Sequence, residues 1–148
     1  MRKISYIDDF EKWKQEFSFY TDIKIRFSET DMFGHVNNVS PFIYFEQARI
    51  EYLHEKGVFS LDPGVETAPI VADLQCDFIE QMYFGDTLRL FVKANSVGNS
   101  SIDIHYLGLN QDEKICLIGR GALVNVDVKT GKPVRISDDV REKLLSNK

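Results

Sequence analysis

Cysteine, proline and tryptophan are all scarce in this 148-residue chain, with two, four and one respectively. Cys76 and Cys116 sit in apolar segments with no CxxC pattern and no histidine at ligand spacing. That removes a disulfide framework and a cysteine-based zinc site, and leaves two buried thiols. No apolar run approaches the roughly 20 residues of a membrane span. Asp8 and Asp9 interrupt the opening residues before a signal-peptide core develops, so the expected location is the cytoplasm. Positive charge is short as well: 18 Lys and Arg against 23 Asp and Glu give a net charge of -5. A chain built to coat nucleic acid or an anionic membrane is thereby excluded. There is no glycine-rich phosphate loop and no internal repeat.

What is present suffices for one domain over residues 1–148. Hydrophobic residues make up 43% and charged residues 28%. A chain of this length buries roughly 68–70% of its unfolded surface and folds without staples. Phe10, Trp13 and Phe17 follow Asp8 and Asp9 at helical spacing, predicting a short helix over about 8–17 that covers the domain. Ile23, Ile25 and Phe27 alternate with Lys24 and Arg26 as in a half-buried strand. Ser40-Pro41 reads as N-cap and first helical residue, and Gly57 as the stop. Between them Phe42, Ile43, Tyr44, Phe45, Ala48, Ile50 and Leu53 spread round the surface, the pattern of a central helix wrapped by other structure.

Strand signals then dominate. Ile70, Ala72, Leu74, Cys76 and Phe78 form one core-facing series, with Asp73, Gln75 and Asp77 on a solvated face. Leu88, Leu90, Val92 and Ala94 repeat the alternation. Gly98-Asn99 turns the chain into Ile102, Ile104 and Tyr106, and Asn110 to Glu113 turn it again. The last strand, from Ile115 to about Val128, contains Gly119 and Gly121, which mark a bend, a bulge or a close backbone approach. Ser137, Asp138 and Asp139 cap a helix over about 137–146 with Val140, Leu144 and Leu145. The fold class is α+β: a curved antiparallel sheet wrapped around one long helix.

Chemistry concentrates in Glu29-Thr30-Asp31-Met32-Phe33-Gly34-His35-Val36-Asn37-Asn38, directly before the long helix. Unpaired amides in a first helical turn polarise a carbonyl or hold an oxyanion, and a nearby carboxylate attacks it or activates water. From residue types alone, a polar turn shaped by Asp31, Asn37 and Asn38 is the competing explanation. Glu46 and Arg49, at i and i+3, form an ion pair that fixes packing. His54 and His105 read as structural or exposed. Arg89, Lys93, Lys129, Lys132 and Arg135 are scattered bases available to phosphates.

Asp31 to Val39, followed by Phe45-Glu46-Gln47-Ala48-Arg49, resembles the D-x-x-G-H-V-N-N signature and F-E-x-A-R helix of hot-dog-fold acyl-CoA thioesterases of the 4-hydroxybenzoyl-CoA thioesterase superfamily. Gly85-Asp86 resembles the family's G-D entry to its third strand, and the resemblance spans Ile23 to Val128. It implies a hot-dog fold and hydrolysis of acyl-CoA. Asp31 would be the general base or nucleophile, the amide of Asn38 the carbonyl polariser, and His35 their neighbour in the catalytic loop. Gly34, Val36 and Asn37 would shape the substrate site, with Phe42 and Phe45 beside the acyl chain. No cofactor or metal is implied, CoA being part of the substrate. A homodimer is implied, which associates further into a homotetramer in some relatives.

Two departures stand out: Pro41 occupies a position where the family commonly has tyrosine, and Phe33 replaces the asparagine of the similar plant acyl-ACP thioesterase pattern. The alternatives are an acyl-ACP thioesterase and a non-catalytic acyl-thioester-binding module. A hot-dog hydratase is set aside, because Asn37-Asn38 lacks the Pro-x-His that such enzymes place there.

Overall fold

In the computed structural model, residues 1–146 are described. In chain order the elements are α1 (Phe10–Gln15), β1 (Phe19–Lys24), a 3-10 turn (Phe27–Glu29), α2 (Ser40–Glu55), β2 (Thr67–Val71), β3 (Gln75–Phe78), β4 (Thr87–Val97), β5 (Ser101–Leu109), β6 (Ile115–Asp127) and α3 (Asp138–Leu145). The strands form one antiparallel sheet in the order β1-β4-β5-β6-β2, and β3 also pairs with β6. The sheet curls around α2 as a half-barrel. Among the described residues no helix is long and apolar enough to cross a membrane.

The cleanest alternations become the middle of the sheet. Leu88, Leu90, Val92 and Ala94 on β4 and Ile102, Ile104 and Tyr106 on β5 are buried against α2. Gly119 on β6 gives the closest approach: a Cβ there would lie 2.5 Å from the Phe45 ring and 2.9 Å from the Gln75 carbonyl. Phe45 uses that space and stacks on Tyr106, centroids 4.2 Å apart. Such packing places most of the hydrophobic stabilisation on one helix face and the concave side of the sheet.

Several expectations are corrected. Helix α2 is not wrapped all round: Tyr44, Phe45, Ala48, Tyr52 and Leu53 are buried while Ile43, Gln47 and Glu51 are exposed, because the sheet covers a single face. Ser40 is not the cap. It lies inside the first turn, and the Asn37 side chain accepts from Val39 N (3.0 Å) and Ser40 N (2.8 Å). β1 ends at Lys24, so Phe27 leaves the alternation and sits exposed in the 3-10 turn against Phe84. The segment 70–78 is two strands. Asp73 Oδ1 takes Ala122 N (2.7 Å) and breaks the ladder, and the edge position leaves Ile70 and Phe78 exposed.

The convex face of the sheet is covered by the N-terminal segment. Ile4, Ile7 and Trp13 bury Leu107 and Ile118 in a second cluster, with α1 capped by Asp9 as its sequence suggests. His105 is fully buried there and has two partners. Trp13 Nε1–H donates to Nδ1 (2.8 Å), so the ring proton lies on Nε2 and donates to Asp103 Oδ2 (2.8 Å). Asp103 is paired in turn with Arg120 (2.7 Å). Lys93, counted from sequence among the bases open to phosphates, is buried beneath Trp13 and Phe17 near Glu16. At the other end α3 is capped by Ser137, whose Oγ accepts from Val140 N, and packs against β4.

Candidate active site

The segment between the 3-10 turn and α2 closes on itself before it reaches the helix. Asp31 N donates to His35 O (2.8 Å), and Gly34 N to Asp31 O (3.0 Å). Gly34 has φ +80, a conformation that only glycine adopts without strain, so the tight turn needs it. Val36 N donates to Met82 O and Asn37 N to Glu29 O (both 2.8 Å), fixing the loop to its surroundings. The Asn37 cap then leads into α2.

Within this frame Asp31 is exposed. Its Oδ1 accepts from Phe33 N (2.9 Å) and His35 N (3.2 Å). Among the described residues Oδ2 has no partner, so one carboxylate oxygen shapes the turn and the other faces water. The polar-turn and chemical readings of Asp31 are therefore compatible. Asn38 is exposed, and its N–H donates to no acceptor among the described residues. With Asn37 Oδ1 occupied by the next two amides, the Asn38 N–H is the open donor at the positive end of the helix.

The second carboxylate of the loop has a different task. Glu29 is buried, accepting from Arg26 N (2.8 Å), the Arg26 guanidinium (2.9 Å) and Tyr44 Oη (2.9 Å). Burial alone would raise its pKa, but these donors outweigh it and hold Glu29 below the usual carboxylate range. Both burial and the Glu29 contact push the Tyr44 hydroxyl upward. Glu29 is thus a fixed strut between the turn and α2.

Gly34 and His35 share the Asp31 hairpin, and Asn37 and Asn38 lie just before the helix, whose cap position is Val39. Val36 is half-buried against the core. Phe42 is half-buried one turn into α2, its ring 6.1 Å from that of Phe45. Phe45 itself has no exposed surface, so it faces the core and not a groove.

Sequence reasoning missed an aromatic surround. The His35 ring lies edge-on to Tyr83 (5.2 Å) and near Phe33 (6.4 Å), and Phe84 contacts Phe27 (5.8 Å). Met32, Phe33, Phe27, Phe84 and Tyr83 all expose much of their apolar surface. The signal lay beside Gly85-Asp86: Asp86 Oδ2 accepts from Tyr83 N (2.9 Å) and holds this aromatic pair against the loop.

Such an arrangement offers a free carboxylate oxygen, an open helix-start amide and an apolar rim, parts suited to attack on a polarised carbonyl. The thioesterase-like superfamily model matches residues 25–144. Over 146 residues the chain is 44% identical to the uncharacterized protein YsmA of Bacillus subtilis (strain 168), covering 98% of each. It is 25% identical over 125 residues to the long-chain acyl-CoA thioesterase FadM of Escherichia coli (strain K12), covering 84% of this chain and 95% of FadM. The solved structure of a predicted thioesterase from Bacillus stearothermophilus matches with a TM-score of 0.77 at 31% identity, covering 87% of this chain and 95% of that one.

Proposed function

The chain belongs to the thioesterase-like superfamily, whose general chemistry is thioester hydrolysis, and from that premise we propose that it hydrolyses acyl-CoA thioesters to a carboxylic acid and free CoA. The observation that carries the reading is the pairing, within one eight-residue stretch, of an Asp31 oxygen open to water with the unpaired amide of Asn38. The acyl-CoA chemistry of FadM supports the choice of carrier.

In this mechanism the thioester oxygen accepts from Asn38 N–H at the start of α2, where the helix dipole favours the developing negative charge. Asp31 Oδ2 removes a proton from water as it attacks the carbonyl carbon. When the carbon–sulfur bond breaks, the same carboxyl returns the proton to the departing thiolate. His35 borders the reacting groups from its place against Tyr83. Gly34, Val36 and Asn37 hold the loop in shape, and Phe42 offers apolar surface to the acyl group, with Phe45 behind it. A thioester carbonyl is already electrophilic, so no metal or cofactor enters this scheme.

We also propose that the enzyme is a homodimer, in line with the exposed Ile70 and Val71 on the open edge of β2. An uncovered apolar edge of that kind invites pairing with a second copy. Light scattering in solution would show a single-chain mass if this is wrong.

The functional test is thiol release from acyl-CoA and acyl-ACP carrying the same acyl groups, by wild type and Asp31→Asn. Hydrolysis of the CoA series that falls about 100- to 10,000-fold in a folded Asp31→Asn is expected. Binding without turnover, full activity in the variant, or turnover of the ACP series alone would each contradict the proposal.

A further inference from the structure

The aromatic pair beside the catalytic loop sits on a turn that is fastened from outside the site. Gly85, with φ +88, lets residues 82–86 close tightly, and Asp86 N donates to Tyr83 O (3.0 Å). This turn grips the chain on both sides of the Asp31 hairpin. Ahead of the hairpin, Gly85 N donates to Ile25 O (3.1 Å) and Ile25 N to Asp86 O (2.9 Å). Behind it, Val36 N donates to Met82 O (2.8 Å). His35 pairs with Tyr83 across one backbone bridge and Val36 with Thr30 across another, so 35–36 is the middle of three chain segments.

What fixes the turn lies 24 to 25 positions further on, between β5 and β6. Gln111 Oε1 accepts from Thr87 N (3.1 Å), and Gln111 Nε2 donates to Asp86 Oδ1 (3.0 Å). Asp86 Oδ2 accepts from Tyr83 N (2.9 Å). Both carboxylate oxygens and both ends of the amide are therefore engaged. The β5–β6 turn is itself held, since Asn110 Oδ1 accepts from Asp112 N (2.9 Å) and Lys114 N (3.0 Å).

We infer that Asp86 is a positioning residue for thioester hydrolysis and that Gln111 acts through it, so that the turn between β5 and β6 sets the place of the Asp31 carboxylate. The inference rests on the thioester-hydrolysis reading above. Gln111 holds Asp86, and Asp86 holds Tyr83, which backs both the main chain and the ring of His35. His35 in turn gives its N–H to Asp31 Oδ1 (3.2 Å) and its carbonyl to Asp31 N (2.8 Å). Gln111 is exposed, Asp86 is half-buried, and both lie outside the two hydrophobic clusters. Hydrogen bonds at such positions add little to global stability. They do decide where a hairpin sits, and a misplacement of about 1 Å costs about 100-fold in rate.

The test measures kcat and KM with the acyl-CoA that wild type turns over fastest, per folded molecule, in Asp86→Ala, Asp86→Asn and Gln111→Ala. Asp86→Ala is expected to lower kcat about 10- to 100-fold with KM within about threefold. Asp86→Asn keeps an acceptor for Tyr83 N and is expected to recover most of that loss. Gln111→Ala is expected to lower kcat about 3- to 10-fold, and the double alanine variant to be no slower than Asp86→Ala alone, as for two members of one path. Exchange of the Val36 amide is expected to quicken in both alanine variants while amides in the middle of β4 and β5 keep wild-type protection. Gln111→Ala, on an exposed turn, carries the least folding risk and decides the matter if Asp86→Ala does not fold.

KM rising at unchanged kcat, equal losses in Asp86→Asn and Asp86→Ala, or losses that multiply in the double variant overturn the inference while leaving thioester hydrolysis in place. A wild type that hydrolyses no thioester overturns the catalytic proposal. Val36 exchange then decides the positioning path, which wild-type protection in both alanine variants overturns.

Discussion

The two ends of this molecule treat polar and apolar groups in opposite ways. On the convex face of the sheet, the Trp13 indole, both nitrogens of His105, the Asp103 carboxylate and the Arg120 guanidinium are joined in one chain of bonds, and the N-terminal segment seals it. At the start of α2, by contrast, the chain leaves an amide open at Asn38, one oxygen open at Asp31 and a rim of exposed aromatic rings. A region with its bonding capacity satisfied internally contributes stability. One that stays unsatisfied at a helix terminus is available to a ligand.

Variants that act on one end alone sharpen this contrast. The largest stability loss is expected from Trp13→Ala, about 3–5 kcal/mol, because it empties the second cluster and strips His105 of a donor; chemical denaturation reads it directly. Next comes Gly119→Ala, at about 1–3 kcal/mol, where the new methyl meets the Phe45 ring and the Gln75 carbonyl. A melting temperature equal to wild type would show that the sheet yields there without cost.

Asn37→Ala is a smaller change that reaches both properties. Loss of its two accepted hydrogen bonds costs about 1 kcal/mol and also frees the start of α2. Thioester turnover is therefore expected to fall by more than the stability change alone accounts for. If turnover is unaffected, the position of the Asn38 amide is not set by this cap.

The smallest effect is on pH dependence. Burial alone would raise the pKa of Asp103, but the hydrogen bond from His105 and the pairing with Arg120 hold it below the usual aspartate range. A depressed folded pKa contributes stability that is present above the unfolded value and lost as pH falls through the folded one. Melting temperature is thus expected to drop in wild type below about pH 4. An Asp103→Asn variant should show a shallower drop, and identical acid profiles would remove Asp103 from the linkage.

Much of this was legible in local pattern. Leu88 to Ala94 and Ile102 to Tyr106 alternate cleanly because one series of side chains packs on α2, and Gly119 marked a special backbone position without naming Phe45 as what approaches it. The loop from Asp31 to Asn38 declared itself through residue type and its place before a helix. What pattern could not supply were choices between equivalent donors and acceptors. Ser40 is a good cap by residue type, but the path of the loop puts Val39 at the cap position and turns Asn37 Oδ1 onto the amides of Val39 and Ser40.

Asp73 interrupts its strand by bonding Ala122 N, a partner 49 positions away. Of the two partners of His105, Trp13 is 92 positions away and Asp103 only two, on the same side of β5, so sequence distance hid the first and not the second. Phe45 reads as a site wall from sequence because a core ring and a pocket ring look alike along a helix.

The most direct test of the division between the two ends crosses their variants and reads thiol release and melting temperature on the same samples. Asp31→Asn is expected to lose turnover at a melting temperature near that of wild type. Trp13→Ala is expected to lose melting temperature while the fraction still folded keeps wild-type turnover. The contrary result, full turnover in Asp31→Asn or loss of turnover per folded molecule in Trp13→Ala, would contradict the assignment of chemistry to the open end of α2.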